Sequence, residues 1–300
     1  MRLVFLGSPA EATVPLQALH DSGHEIALVV TQPDRRRGRG AALAPSPVKR
    51  LALELGLPVV TPARGKEALE PIAASGAELG VVVAFGQLIP QSVLDALPSG
   101  FVNMHFSLLP RWRGAAPVER ALLAGDEETG VCLMRVEAGL DTGPIYACER
   151  VTIGPEETAG ELRARLTRLG TDLLLAEIDS IPGREPTPQQ GEATYANKLT
   201  VEEFEIDWSR PAADLARQVA AGNPKPGAWT TARGGRLKVL RARPEPAEGD
   251  SGVAPGTLVG PGRVATGDGV LALLELQPEG KAAMSGPAWA TGFRGDYLGS

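Results

Sequence analysis

Three polar residues in one region have the types and the spacing that acyl transfer needs. Asn103 and His105 are two positions apart, so in an extended segment their side chains would point to the same face. Asp141 follows in the Gly-rich stretch Gly139–Gly143, a turn that could return its carboxylate to the same place. Amide and imidazolium N–H groups can stabilise the oxyanion of a tetrahedral intermediate, and a neighbouring carboxylate would orient the imidazole and favour its charged form. The three residues therefore suit acyl transfer to an amine, without a covalent nucleophile.

Each of these residues also has a structural explanation. A single histidine is more often structural or exposed than catalytic, an Asp in an Asp-Thr-Gly turn commonly caps that turn, and Asn103 could bind backbone groups. The sequence holds three histidines, and the other two, His20 and His24, flank a loop without further candidate chemistry. It has no G-x-S-x-G nucleophile elbow, no cysteine-nucleophile signature and no H-E-x-x-H motif, so neither a covalent nucleophile nor a metal is predicted.

The elements that would position these residues alternate between strands and helices. Over roughly the first 150 residues this alternation is typical of a parallel, doubly wound sheet. We therefore predict an α/β fold that begins with a Rossmann-like domain built on a mostly parallel sheet. Because no G-x-G-x-x-G turn follows the first strand, a dinucleotide cofactor is disfavoured. The predicted strands are Arg2–Leu6, Ile26–Thr31, Pro58–Val60 and Leu79–Phe85, and the predicted helices are Pro15–Ser22, Pro47–Leu55 and Glu156–Asp179.

A change of composition divides the chain. Ile181–Thr194 is rich in Pro, Gly and Gln, which is typical of a linker. Beyond Ile206, short apolar runs separated by Gly and Pro indicate a small β module. We predict a catalytic domain at residues 1–188, a linker at 189–206 and an OB-like β-barrel at 207–300.

Bulk properties limit the class of protein. The net charge of −6 argues against a nucleic-acid partner, but residues 207–300 hold 11 Lys and Arg against 9 Asp and Glu and are slightly basic. Cys132 and Cys148 are too few for a disulfide framework and are interpreted as small core or near-core residues. No apolar run approaches the ~20 residues that span a bilayer, and the N-terminal run is too short for a signal peptide. We expect a cytoplasmic monomer with no membrane partner.

A polar loop after the second predicted strand carries a cluster of arginines. The stretch Gln32–Gly40 contains Arg35, Arg36, Arg37 and Arg39. Such a run is ordinarily a solvated charged surface, but it follows a strand at the edge of the sheet where α/β proteins form their sites. It is therefore also a candidate clamp for nucleic-acid phosphates.

The segment from Asn103 to Pro110, together with Gly139–Gly143, resembles the formyltetrahydrofolate-dependent formyltransferases. The resemblance implies that Asn103, His105 and Asp141 are catalytic and that 10-formyltetrahydrofolate is the formyl donor. Phe106 departs from the family, which usually has a small residue there, and its ring would reshape the folate pocket. The folate contacts that the resemblance implies are Ser107, Leu108, Leu109, Pro110, Phe85, Gly86, Gln87, Leu88 and Ile89.

Further segments resemble the branch of this family that acts on initiator methionyl-tRNA. They are the basic insertion Thr31–Lys49, the junction Lys198–Trp208 and the C-terminal stretch Leu276–Lys281. The resemblance implies a tRNA partner, whose acceptor end would be contacted by Arg35, Arg36, Arg37, Arg39 and Lys49. Two alternatives stay open: the same chemistry on a nucleotide-sugar amine or glycinamide ribonucleotide, or a folate- or RNA-binding protein without catalysis.

Overall fold

A computed structural model of the chain describes residues 1–37, 42–246 and 252–299. The chain divides into two compact units, each assembled from separate stretches of sequence. The first comprises Met1–Pro117, Glu128–Val151 and Arg163–Ala196, and the second comprises Val118–Glu127, Thr152–Leu162 and Asn197–Ser300. The continuous domains at 1–188 and 207–300 stay a prediction.

The regular elements are numbered along the chain. The strands up to residue 196 are β1 (Arg2–Gly7), β2 (Glu25–Val30), β3 (Arg35–Arg37), β4 (Ala42–Ala44), β5 (Val59–Val60), β6 (Leu79–Val83), β7 (Phe101–His105), β8 (Arg113–Gly114), β9 (Glu128–Arg135), β10 (Ile145–Thr152) and β11 (Tyr195–Ala196). The later strands are β12 (Ala228–Ala232), β13 (Gly235–Glu245), β14 (Leu258–Gly260), β15 (Arg263–Ala265), β16 (Val270–Pro278) and β17 (Met284–Ser285). The helices are α1 (Thr13–Asp21), α2 (Pro47–Glu54), α3 (Leu69–Ala74), α4 (Gln91–Leu94), α5 (Pro117–Ala124), α6 (Ala159–Glu177), α7 (Ala212–Gly222) and α8 (Gly286–Gly292). Short 3-10 helices lie at Ala10–Ala12, Gly65–Ala68, Ile178–Ser180 and Glu202–Phe204.

A seven-stranded sheet forms the centre of the first unit, in the order β10-β9-β7-β6-β1-β2-β5. Strand β1 pairs in parallel with β2 and β6, and the parallel pairing continues to β5 and β7. Strand β9 runs antiparallel to β7. Every residue of β6 is buried, as expected of a strand covered on both faces. The predicted α/β fold with a mostly parallel sheet is confirmed.

The carboxyl ends of the parallel strands bring the candidate residues to one edge of this sheet. Strand β7 ends at His105, β6 ends just before the segment 84–90, and β2 ends just before the Arg-rich stretch. Ligands of open α/β sheets bind outside the carboxyl ends of the strands. The three candidate segments therefore lie where such a sheet forms its site.

The Arg-rich stretch differs from the predicted loop. Arg35–Arg37 form a short antiparallel ribbon with Ala42–Ala44, in which Arg36 lies opposite Leu43. The loop prediction is wrong for these three arginines, because cross-strand backbone pairing needs no apolar alternation that a sequence would display. Arg39, which the sequence analysis also singled out, lies outside the described residues.

The two cysteines differ from the sequence prediction in their bonding and in the exposure of one of them. Cys132 in β9 is disulfide-bonded to Cys148 in β10, across a sequence separation of 16 residues. Cys132 is fully buried, but Cys148 is exposed. The interpretation as a core or near-core residue thus agrees with Cys132 and is wrong for Cys148. The disulfide was not predicted, since the central sheet makes neighbours of two strands whose pairing was not predicted.

The second unit is built on a six-stranded sheet. Strand β13 pairs antiparallel with β12 and β16, and β16 pairs antiparallel with β15 and β17. Helix α7, which the sequence analysis did not predict, contributes buried Leu215 and Val219. The C-terminal antiparallel β structure agrees with the predicted β module, and its closure into an OB-like barrel stays a prediction. None of the described helices combines the length and apolarity needed to cross a membrane.

The first turn of α6 contains a carboxylate held in its charged form. Glu161 accepts hydrogen bonds from the Thr158 N–H at 3.0 Å and the Thr158 hydroxyl at 2.8 Å, and Arg241 donates to it as well. These contacts, with the Thr158 backbone hydrogen bond as the largest cause, lower the pKa of Glu161 from 4.5 to about 2. A carboxylate whose pKa is lower in the folded state stabilises the fold above the unfolded-state value and loses that effect as the pH falls through the folded-state value.

We expect Glu161→Gln to lower the free energy of unfolding at neutral pH by on the order of 1 kcal/mol, a modest loss because solvent screens a half-exposed group. The difference from the parent chain should shrink between about pH 4.5 and pH 2, the window that the lowered pKa of Glu161 defines. Thermal unfolding across this range measures it, with exposed Glu70→Gln as the control. A difference in the free energy of unfolding that stays constant with pH would contradict the lowered pKa of Glu161 as its cause.

Candidate active site

Strand β7 and the turn before β10 bring the three predicted catalytic residues into one region. His105 is the last residue of β7 and is 5% exposed. Its Nδ1 lies 3.7 Å from Oδ2 of Asp141. Asn103 is half-buried and stands two residues before His105 on the same strand. Alternation along β7 therefore places Asn103 and His105 on one face.

Both ring nitrogens of His105 face oxygen acceptors. Nε2 lies 3.0 Å from the carbonyl oxygen of Trp112, and a carbonyl can only accept, so Nε2 carries the hydrogen of this bond. Nδ1 faces the Asp141 carboxylate on the other side of the ring. A neutral imidazole could donate to one of these acceptors, whereas an imidazolium can donate to both.

Backbone groups hold the partners of the ring in place. The Gly114 N–H donates to Oδ2 of Asp141 at 2.7 Å, the same oxygen that faces His105. Asp141 has φ of 50°, and Trp112, whose carbonyl meets the ring, has φ of 62°. Left-handed backbone is tolerated by Asp but is uncommon for a bulky residue such as Trp. Such conformations concentrate at functional sites, where the surrounding structure enforces them.

The Asn103 side chain is available to a ligand. Within the part of the chain that the structure describes, its amide forms no hydrogen bond with another protein group. Its backbone is fixed by the β7–β9 pairing, in register with Met134. An amide that no protein group occupies can donate a hydrogen bond to a negative charge that develops beside it.

The segment after β6 is predicted to contact folate. It presents backbone groups outside helix and strand and the side-chain oxygen of Gln87. Phe85 is buried in the core, while Leu88 is 79% exposed. Gly86 has φ of 76°, and a Cβ there would come within 2.6 Å of Gln32 Nε2. Gln87 donates to the Pro62 carbonyl at 3.1 Å. Its Oε1 is buried and has no hydrogen-bond partner among the described residues.

The second predicted folate segment is largely committed to its own fold. Ser107 is fully buried and donates its hydroxyl hydrogen to the Arg111 carbonyl at 2.6 Å. Leu109 and Phe106 are also buried, whereas Leu108 and Pro110 are half-buried. The roles of these residues toward folate stay predictions.

The predicted tRNA contacts fall into different environments. Arg35 and Arg36 are exposed on the ribbon, and the Arg35 guanidinium donates to the Gln32 amide oxygen. Lys49 is instead bound to both carboxylate oxygens of Asp34, at 2.8 and 2.9 Å. Arg37 belongs to the ribbon through its backbone. The ribbon is the cationic feature among these contacts, and Lys49 is already neutralised by an ion pair.

Sequence reasoning missed Gln189, which the predicted linker contains. Its side-chain nitrogen donates to the carbonyls of Asp141 and Gly143, and its oxygen accepts from Arg113. No motif marks it, because its partners are mostly backbone groups. Across residues 1–37, 42–246 and 252–299, no three His, Cys, Asp or Glu side chains group as metal ligands would.

Comparison with known proteins identifies the family. The family model described as formyl transferase matches residues 1–178, and the one described as formyl transferase, C-terminal domain, matches residues 198–294. The methionyl-tRNA formyltransferase of Thermus thermophilus is 49% identical over 297 residues, covering 98% of this chain and 96% of that protein. The chain belongs to the methionyl-tRNA formyltransferase family. The methionyl-tRNA formyltransferase of Cereibacter sphaeroides is 48% identical over 296 residues, with 98% and 96% of the two chains covered.

Solved structures share the fold of this family member at lower identity. The N-formyltransferase of Helicobacter canadensis, solved with folinic acid and dTDP-3-aminofucose, superposes with a TM-score of 0.68 at 18% identity, covering 90% of this chain and 98% of that one. HypX of Aquifex aeolicus, solved with tetrahydrofolic acid, gives a TM-score of 0.66 at 19% identity, covering 98% of this chain and 47% of that one. The common fold thus extends beyond the methionyl-tRNA formyltransferases.

Proposed function

We propose that this chain transfers the formyl group of 10-formyltetrahydrofolate to the α-amine of methionine on initiator methionyl-tRNA. The product would be N-formylmethionyl-tRNA for translation initiation, made by a cytoplasmic monomer. The observation that carries the proposal is the His105–Asp141 pair beside the uncommitted Asn103 amide. Membership of the methionyl-tRNA formyltransferase family supplies the substrate.

Asn103, His105 and Asp141 have different roles in the proposed acyl transfer. As the neutral amine attacks the formyl carbon, negative charge develops on the formyl oxygen, and the Asn103 amide donates a hydrogen bond to it. Collapse of the tetrahedral intermediate would break the bond between the formyl carbon and the folate nitrogen, with one proton leaving the amine and one reaching that nitrogen. His105 supplies a second donor when its Nε2–H leaves the Trp112 carbonyl and donates to the formyl oxygen instead. Asp141 keeps the ring oriented through the 3.7 Å contact with Nδ1. The two donors stabilise the transition state, and the carboxylate maintains one of them.

The residues of the 84–90 segment fit a folate. The buried Oε1 of Gln87 is an acceptor without a partner among the described residues, and a pterin ring carries N–H donors that would satisfy it. The segment has no helix or strand pairing, so its backbone groups are free of regular ladders. When bound there, the folate supplies the formyl group. The chain itself binds it, orients it and holds the donors for the charge.

The cationic ribbon is the proposed contact for the acceptor end of the tRNA. Arg36 is exposed, and its backbone is fixed opposite Leu43. The base of the ribbon is fixed as well, because Thr31 and Ser46 share a buried hydrogen bond of 2.7 Å between their hydroxyls. A guanidinium on a firm base can neutralise a phosphate and release its counterion.

We expect Arg36→Ala to weaken tRNA binding and to reduce the slope of log K against log salt by about one, as one lost phosphate contact requires. Binding of uncharged initiator tRNA over a salt series measures this slope. Arg168→Ala, which removes an exposed arginine from α6, is the matched control. An unchanged slope and affinity for Arg36→Ala would count against the ribbon as the contact.

The proposed function is tested with the purified chain and 10-formyltetrahydrofolate. Charged initiator methionyl-tRNA is offered beside a nucleotide-sugar amine and glycinamide ribonucleotide. We expect formylation of the methionine on the tRNA. Transfer to one of the small amines alone would keep the chemistry and overturn the substrate. No transfer to any acceptor would favour a folate- or RNA-binding protein without catalysis.

A further inference from the structure

The side chain of Gln189 joins the turn that carries Asp141 to the side chain of Arg113. Its Nε2 donates to the Asp141 carbonyl at 2.8 Å and to the Gly143 carbonyl at 2.7 Å. Its Oε1 accepts from Nε and a terminal nitrogen of Arg113, at 3.1 and 2.7 Å. The amide therefore connects the turn that carries Asp141 to β8, and Gly114 of β8 itself donates to the Asp141 carboxylate.

The backbone on both sides of Gln189 is fixed as well, on one side to the start of β10 and on the other to β8. Thr187 and Ile145 exchange two backbone hydrogen bonds, of 2.7 and 2.8 Å. At the other end, β11 pairs in parallel with β8, and the Thr194 hydroxyl accepts from the Trp112 N–H at 2.9 Å. We call residues 187–196 the strap, because they run from the strand after Asp141 to the segment that meets His105.

An amide is the group that this position requires. The two carbonyls need donors, while the Arg113 guanidinium needs an acceptor, and a primary amide offers both without a charge. A carboxylate would satisfy Arg113 but would set oxygen against both carbonyls. Asp141 stands at φ of 50°, so its backbone is held away from the commonest conformations by such contacts.

We propose that Gln189 is a positioning residue for the formyl-transfer reaction, which fixes the Asp141 carboxylate between His105 and Gly114. The inference rests on the proposed function for its activity readout. Gln189 itself contacts neither His105 nor the carboxylate of Asp141, and it acts only through the backbone of the turn. If the two hydrogen bonds that Gln189 donates are lost, the turn at Asp141 can move. The distance between the Asp141 carboxylate and the His105 ring is then no longer fixed.

The test compares three variants of the full chain. Gln189→Met removes all of the bonds at similar size, Gln189→Glu keeps the acceptor for Arg113 but removes both donors, and Gln190→Met alters the exposed neighbour. We expect both Gln189 variants to lower kcat by about 10- to 100-fold, the effect of a small misplacement, with KM for tRNA and folate changed less than about threefold. Gln190→Met should match the parent. Loss confined to KM, or kcat within twofold of the parent in both Gln189 variants, would overturn the inference.

A double-mutant cycle separates positioning from general stabilisation. In an Asp141→Asn background, measured in single turnover, Gln189→Met should cause little further loss, because Gln189 acts through the Asp141 carboxylate. Equal losses in both backgrounds would show that Gln189 acts elsewhere. Nitrogen NMR of the His105 ring gives a readout that needs no turnover: its signals should shift in both Gln189 variants and not in Gln190→Met. If the parent chain formylates nothing, the proposed function fails while this spectrum still decides the inference.

Discussion

His105→Ala is expected to lower kcat for formyl transfer by about 10²- to 10³-fold, the usual cost of losing one oxyanion donor. The ring is 5% exposed, and its nitrogens meet the Trp112 carbonyl and the Asp141 carboxylate. Alanine removes the Nε2–H donor that we propose for the formyl oxygen and leaves the Asp141 carboxylate without the ring that faces it. Single-turnover formylation of initiator methionyl-tRNA measures the loss.

The fold should survive this change. The backbone of His105 stays paired in register with Cys132 of β9, so the strand does not depend on the ring. His20→Ala, which removes a half-buried histidine from α1, is the matched control and should keep the parent rate. A folded His105→Ala chain with near-parental turnover would remove His105 from the mechanism. A chain that loses its thermal transition would instead call for His105→Gln, which retains a side-chain donor of similar reach.

The central sheet could be predicted from the sequence because its signal is local. Leu79–Val83 is apolar throughout, and it forms a strand with every residue buried. The ribbon and the disulfide carry no such signal. Arg35–Arg37 pair through backbone groups that every residue possesses, and the bond between Cys132 and Cys148 depends on which strands become neighbours.

The candidate site was predictable in its side chains and not in its supports. Asn103 and His105 share a face by alternation, and the Gly-rich turn does bring Asp141 to the ring. The groups that hold them are the Trp112 carbonyl and the Gly114 N–H. Both are backbone groups, which every residue carries, so residue types do not reveal them. Gln189 was hidden for a related reason. Its surroundings have the composition of a linker, yet they form the strap that binds two parts of the site.

The supports also distinguish the two proposed oxyanion donors. Both ring nitrogens of His105 face protein acceptors. To donate to a substrate oxygen, Nε2 must therefore exchange the Trp112 carbonyl for that oxygen. The Asn103 amide has no such commitment among the described residues. Asn103 thus offers a donor that need not leave a protein acceptor before it meets a substrate oxygen, whereas His105 must leave the Trp112 carbonyl.

Asn103→Asp tests this donor with almost no change in shape. The amide N–H₂ becomes a carboxylate oxygen, so the site loses a donor and gains repulsion toward the charge that develops on the formyl oxygen. We expect kcat to fall by about 10²- to 10³-fold, as for loss of one oxyanion donor, and KM to change little, because the interaction strengthens only in the transition state. Single-turnover and steady-state formylation separate the two effects.

Asn197→Asp makes the same chemical change at an exposed position and should keep the parent kcat. A loss in KM alone would assign Asn103 to substrate binding, since ground state and transition state would then be stabilised equally. A loss that both variants share would trace to net charge. If Asn103→Asp lowers kcat while Asn197→Asp does not, the amide acts on charge formed during the reaction.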